Sequence, residues 1–165
     1  MVVTMANAPS SVEAAELMFG CFKRLRRLLD AELGECGLSL SRTKLLSELS
    51  SKGPMNQSEL ATKFGLAPRT VTELVDTLER DGLVERRPDP NDRRARPVHL
   101  TPAGEQARER AVVVGKQIID RAMGTLSDLQ RTDLAATLHL IEAEIDKIDA
   151  DVGITDDVGK PLFAS

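Results

Sequence analysis

Five arginines, Arg86, Arg87, Arg93, Arg94 and Arg96, fall within one short stretch that is otherwise rich in Pro, Asp and Asn. Only Asp89 and Asp92 oppose them, which leaves +3 locally in a chain of formal net charge −4. Guanidinium groups at that density suit phosphate oxygens or the negative potential of a narrow minor groove. Arg93, Arg94 and Arg96 are the expected nucleic-acid contacts there, and Asp92 is expected to pair with a neighbour and fix the loop. Upstream lies a second polar cluster, Arg69, Thr70, Thr72 and Glu73. Arg69 can donate two hydrogen bonds to guanine, and the threonines can meet thymine methyls or phosphates. Glu73 can accept from a cytosine amino group or pair with a basic side chain of the protein itself. Asn56 and Gln57 complete the set, as phosphate contacts through amides and helix-start N–H groups. From 142 to 157 the sign reverses, with seven acids against Lys147. Charge segregated in this way is expected when one end of a molecule meets phosphate.

Other chemistries find little support. His99 and His139 stand alone without metal-ligand spacing, and neither a Gly-rich phosphate loop nor a nucleophile motif occurs. Catalysis, metals and cofactors are therefore not expected. Cys21 and Cys36 are the only thiols. Cys21 falls on the apolar face of a helix, where packing is expected, and Cys36 at that helix's end, where more exposure is expected; both are candidates for redox regulation.

Positioning these groups requires a particular order of elements. Leu17, Cys21, Leu25, Leu28 and Leu29 recur at helical spacing after Ser10 or Ser11 as cap, and Cys36-Gly37 closes that helix. Lys23, Arg24, Arg26 and Arg27 read as its solvated face. Ser39 opens a second helix, which Gly53-Pro54 breaks. Asn56 with Glu59 forms a capping box for a third, with Leu60, Ala61 and Phe64 inward. Gly65 supplies a left-handed turn, and Pro68 starts a fourth helix whose apolar stripe is Val71, Leu74, Val75 and Leu78. Residues 83–87 and 97–100 read as strands around the arginine loop. Thr101-Pro102 starts a fifth helix running to about Leu126. Ser127 caps a sixth, where Leu138, Ile141, Ile145 and Ile148 mark a face that packs along another helix. The fold class is thus mostly α with a small β-wing, a winged helix-turn-helix flanked by N- and C-terminal dimerisation helices.

The 165 residues suffice for one domain with helical extensions. Apolar residues make up 41% but aromatics only 2%, so the core must be built from aliphatic side chains, which suits helix-on-helix packing. The expected division is a flexible tail (1–10), an N-terminal dimerisation helix (11–37), a DNA-binding domain (38–101), C-terminal dimerisation helices (102–150) and an acidic mobile tail (151–165). No secretory signal is legible, and no apolar run approaches the ~20 residues of a membrane span. A cytoplasmic protein without a membrane partner is expected. Leu17, Leu25 and Leu28 at one end, with Leu138, Ile141, Ile145 and Ile148 at the other, form more apolar stripe than one small winged helix covers. A two-fold dimer would bury it and set two recognition helices ~34 Å apart, one turn of DNA.

The stretch GLAPRTVTELVDTLERDGLVERRPDPNDRRARPVHLTPAG resembles the winged helix-turn-helix of the MarR family of transcriptional regulators. Asp92-x-Arg94 followed by Leu100-Thr101 is similar to that family's wing signature. The resemblance implies a homodimer on a pseudo-palindromic double-stranded operator, usually repressing a nearby gene, with a small-molecule effector or an oxidant releasing the DNA. It implies that residues 68–80 form the recognition helix and that Arg94 is the wing-tip minor-groove residue. The family's peroxide-sensing branch pairs an N-terminal-helix cysteine with tyrosines, and this chain has no Tyr. Ala67 replaces the usual polar cap, a loss of ~1 kcal/mol. Glu73 stands where a basic or neutral residue is frequent, and Thr43 where an aromatic is usual. A winged helix serving only protein–protein contact, or a thiol-based redox sensor of the same fold, is the alternative.

Overall fold

The computed structural model describes residues 8–89 and 95–152. Among the described residues six helices and two strands follow in the expected order: α1 (Ser11–Glu35), α2 (Leu40–Lys52), α3 (Gln57–Phe64), α4 (Pro68–Arg80), β1 (Val84–Arg86), β2 (Val98–Leu100), α5 (Pro102–Met123) and α6 (Asp128–Val152). Local chemistry sets each boundary. Ser10 caps α1, its hydroxyl accepting from the Glu13 N–H at 3.3 Å while the Glu13 carboxylate accepts from the Ser10 N–H at 2.8 Å. Gly65 ends α3 in the left-handed region (φ 58°, ψ 33°), which lets α4 turn sharply away. Ala67 gives α4 no side-chain cap, as expected, and Pro68 takes the first helical position. Ser127 and Gln130 cap α6 reciprocally, at 2.9 and 3.3 Å.

One aliphatic core unites the lobe. Leu45, Leu46 and Leu49 of α2, Leu60 and Ala61 of α3, Val71, Val75 and Leu78 of α4, and Val84 and Val98 of the wing are buried together. Leu33 of α1 and Ala107 and Ala111 of α5 enter the same cluster, so the flanking helices are anchored to the lobe. Each fully buried Leu or Val contributes about 1.5–3 kcal/mol. Gly104 is what allows α5 to dock: a Cβ there would lie 2.0 Å from the Leu83 carbonyl oxygen. Thr101 clamps the same junction, its hydroxyl donating to the Gly82 carbonyl at 2.8 Å and accepting from the Gly104 N–H at 3.0 Å.

Several expectations need correction. The strands are shorter than residues 83–87 and 97–100, pairing antiparallel only over Val84–Leu100, Glu85–His99 and Arg86–Val98. Met55, unassigned in the sequence, adds a bridge to Val98 through bonds of 2.8 and 3.2 Å, because Val98 has a second edge free beside the α2–α3 turn. The fifth helix ends at Met123 rather than near Leu126, with Gly124 as its cap. Cys21, expected to pack, is exposed, while Cys36, expected to be more exposed, is half-buried. The cause is that α1 packs within this chain through its C-terminal part, where Leu29 and Leu33 are buried, and not around Cys21. Lys23, Arg24, Arg26 and Arg27 are exposed, as a solvated face should be.

The apolar residues assigned to dimerisation behave unevenly within one chain. Leu17 and Leu28 are exposed and Leu25 is half-buried. On α6, Leu138, Ile141, Ile145 and Ile148 are 43%, 40%, 48% and 53% exposed, and no described side chain from Asp128 to Ile148 is even half-buried. A single chain thus leaves α6 without a covering layer.

Candidate nucleic-acid interface

Helix α4 separates its side chains cleanly. Val71, Val75 and Leu78 are buried, which turns Arg69, Thr70, Thr72 and Glu73 outward in the first two turns. The Arg69 side chain is 90% exposed, so no part of the protein covers the group best suited to guanine. Its Nε donates to Glu73 Oε1 at 2.9 Å, across one helical turn. Of the two roles open to Glu73, the structure therefore shows pairing within the protein. The Thr72 hydroxyl donates back to the Pro68 carbonyl at 3.0 Å, which leaves its oxygen as an acceptor and its methyl for apolar contact. Thr70 is exposed.

At the start of α3 the Asn56 N–H is already committed, donating to the Glu59 carboxylate at 2.6 Å. Only its side-chain amide remains for a phosphate. Gln57 is half-buried, and its carbonyl oxygen accepts from Arg86 Nη2 at 3.4 Å, which leaves the amide nitrogen as its side-chain donor. Arg96 is exposed at the base of the loop. Asp92, Arg93 and Arg94 lie outside the described residues, as do most of the two tails.

Arg86 changes role. Counted above with the loop charges, it instead reaches back to the recognition helix, with Nη2 2.6 Å from Asp76 Oδ1 and Nη1 hydrogen-bonded to Glu79. Its own N–H donates to Glu79 Oε1 at 2.8 Å, and its side chain is only 17% exposed. Burial alone would lower the Arg86 pKa; the Asp76 and Glu79 carboxylates outweigh it, so the guanidinium is held above its ordinary value. Asp76 and Glu79 were missed as positioning residues. The signal was present: neighbouring strand residues face opposite sides, so one of Arg86 and Arg87 had to point at α4. Arg87 takes the outer side, where it pairs with Glu85 and lowers that carboxyl's pKa. A second ion pair, Arg42 with Asp81, joins α2 to the end of α4, and Arg42 Nη1 also donates to the Gly37 carbonyl at 2.9 Å.

A concavity lies where the lobe meets α5, lined by Leu49, Ser50, Gly53, Pro54, His99 and Glu105 among others. Cys21 lies apart from it on α1, with Arg24 Nη2 3.9 Å from its Sγ. Among the described residues no cluster of metal-ligating side chains occurs, and no helix is long and apolar enough to cross a membrane.

Three helices on one aliphatic core, a glycine turn before an outward-facing fourth-helix tip, and an antiparallel wing tied to that helix define a winged helix-turn-helix protein. Residues 38–95 match the family model described as MarR family. It is similar to the uncharacterised HTH-type transcriptional regulator YcgE of Bacillus subtilis, 39% identical over 94 residues, covering 54% of this chain and 61% of that relative. It is also 28% identical over 142 residues to the HTH-type transcriptional repressor NicR of Pseudomonas putida, covering 85% of this chain and 88% of NicR. The fold matches a cysteine-to-serine mutant of MarR from E. coli crystallised with operator DNA, at a TM-score of 0.68 and 23% identity, covering 77% of this chain and 91% of that one. YcgE and NicR are thus both named as transcriptional regulators of the helix-turn-helix type.

Proposed function

We propose that this protein is a homodimeric repressor that reads a pseudo-palindromic operator in double-stranded DNA and releases it on an effector signal. The observation that carries the reading is the tip of α4, where Arg69, Thr70, Thr72 and Glu73 face solvent over a buried stripe of Val71, Val75 and Leu78. A helix that projects hydrogen-bonding side chains and hides its apolar ones fits a major groove. Arg93, Arg94 and Arg96 would add minor-groove and phosphate contacts, with Asp92 fixing the loop, while the amides of Asn56 and Gln57 meet the backbone. The uncovered stripe on α6, with Leu17 and Leu28 of α1, supports two-fold association. A soluble effector would act from the concavity beside α5, since a ligand there touches both the lobe and a flanking helix. The relatives named as regulators and as a repressor support transcriptional repression as the outcome.

Fluorescence anisotropy with sites selected from random duplex DNA tests this. Log K should fall linearly and steeply with log salt, as expected when several phosphates are neutralised. Arg94→Ala should weaken selected and random duplexes alike, whereas Arg69→Ala should lose preference for the selected site. Weak, salt-independent binding by the parent protein would instead point to a protein–protein module.

A further inference from the structure

The Arg69–Glu73 pair sits on the surface that should read bases, and its geometry has a direct consequence for which bases those are. Glu73 Oε1 takes the Nε–H of Arg69 at 2.9 Å, and both side chains are largely exposed. A guanidinium held at Nε keeps its two terminal nitrogens free, and these form the end-on fork that matches O6 and N7 of guanine. The second carboxylate oxygen of Glu73, Oε2, has no hydrogen-bond partner among those described for the pair, and it can only accept. In the major groove an acceptor is matched by the N4 amino group of cytosine; the N6 amino group of adenine also donates but sits beside the N7 acceptor, and the O6 and N7 of guanine and the O4 of thymine repel it. Side chains one helical turn apart are separated by about 5–6 Å. Successive bases along a strand lie ~3.4 Å apart, so the two groups address base pairs no more than two steps apart.

Charge leads the same way. Arg69 and Glu73 together are neutral, so the tip of α4 adds little sequence-independent attraction to phosphate, which is left to the wing and its arginines. We propose that Arg69 and Glu73 act as one reading unit, in which Glu73 orients the Arg69 fork onto a guanine and itself selects a cytosine within two base pairs of it. This assignment rests on the DNA-binding reading above and deepens it, because it makes Glu73 a specificity-determining residue as well as a surface ion-pair partner.

The experiment is selection of bound sites from random duplex DNA by the full-length parent, Glu73→Gln and Arg69→Lys, followed by affinities for one selected and one random duplex. Glu73 is exposed, so neither variant removes core packing, and circular dichroism confirms the fold. The parent should select half-sites holding a guanine and a nearby cytosine. Glu73→Gln should relax the cytosine position, bind random duplex more tightly because a negative charge is gone, and lose at least about five-fold in the ratio of selected to random affinity. Arg69→Lys keeps the charge but loses the fork, so it should relax the guanine position. Identical selected sites and an unchanged affinity ratio for Glu73→Gln would overturn the proposal while leaving DNA binding intact. Absence of salt-dependent duplex binding by the parent would overturn the DNA-binding reading and this one with it.

Discussion

Removing the Arg86 side chain separates a structural clamp from a DNA contact. The guanidinium donates to Asp76 at 2.6 Å and to Glu79, both on α4, from β1. Arg86→Ala loses these two charge-assisted bonds, but the Arg86 N–H keeps its 2.8 Å bond to Glu79. Hydrogen bonds to charged groups are worth about 1.5–3 kcal/mol each, which sets an upper bound near 6 kcal/mol for the two. The carboxylates are not fully enclosed, with side chains 50% and 38% exposed, so solvent takes up much of the loss. A destabilisation of about 2 kcal/mol is expected. Urea unfolding followed by circular dichroism at pH 7 measures it as a lower midpoint with unchanged slope. Arg86→Lys, with one ammonium in place of a fork, should retain part of the stability. Asp76→Asn should cost less in the Arg86→Ala background than in the parent, since the two share one interaction. Arg86 is no clamp if Arg86→Ala unfolds within about 0.5 kcal/mol of the parent while losing duplex affinity. That result would return Arg86 to the nucleic-acid surface.

Gly104→Ala should destabilise by about 1–3 kcal/mol or more, because the added Cβ meets a backbone oxygen that cannot rotate away; the same urea midpoints measure it. The Arg108 guanidinium holds the Glu105 carboxyl below its ordinary pKa, chiefly by hydrogen bonding. A carboxyl lowered in the folded state stabilises at pH above its ordinary unfolded value and loses that contribution as pH falls through the lowered folded value. The stability difference between parent and Glu105→Gln should therefore be constant from about pH 5 to 8 and shrink below about pH 4. Ile141→Asp and Ile145→Asp each put a charge on the uncovered face of α6. Sedimentation should show a shift from dimer to monomer, with cooperative lobe unfolding retained; an unchanged dimer would remove α6 from the interface.

Most of this fold was legible because its boundaries are local events. Ser10 with Glu13, Gly65, Pro68 and Thr101-Pro102 act through neighbouring residues, so their types and spacing are enough to place helix ends. The buried stripe of α4 follows from its period in the same way, and with it the outward direction of Arg69, Thr70, Thr72 and Glu73. What the amino-acid order left open depends on which distant segment lies against a side chain. Arg86 and Arg87 are adjacent and chemically identical, yet one binds α4 and the other faces out, because only the pairing of β1 with β2 decides which side meets the helix. Cys21 and Cys36 exchanged their expected environments for the same reason: helical period fixes a face, but only the line along which α1 meets its neighbours determines how much of that face is covered. Glu73 joins both sides of the division. Its type and its place four residues after Arg69 made an ion pair possible, and the exposed tip of a buried-stripe helix left no other described side chain to claim it.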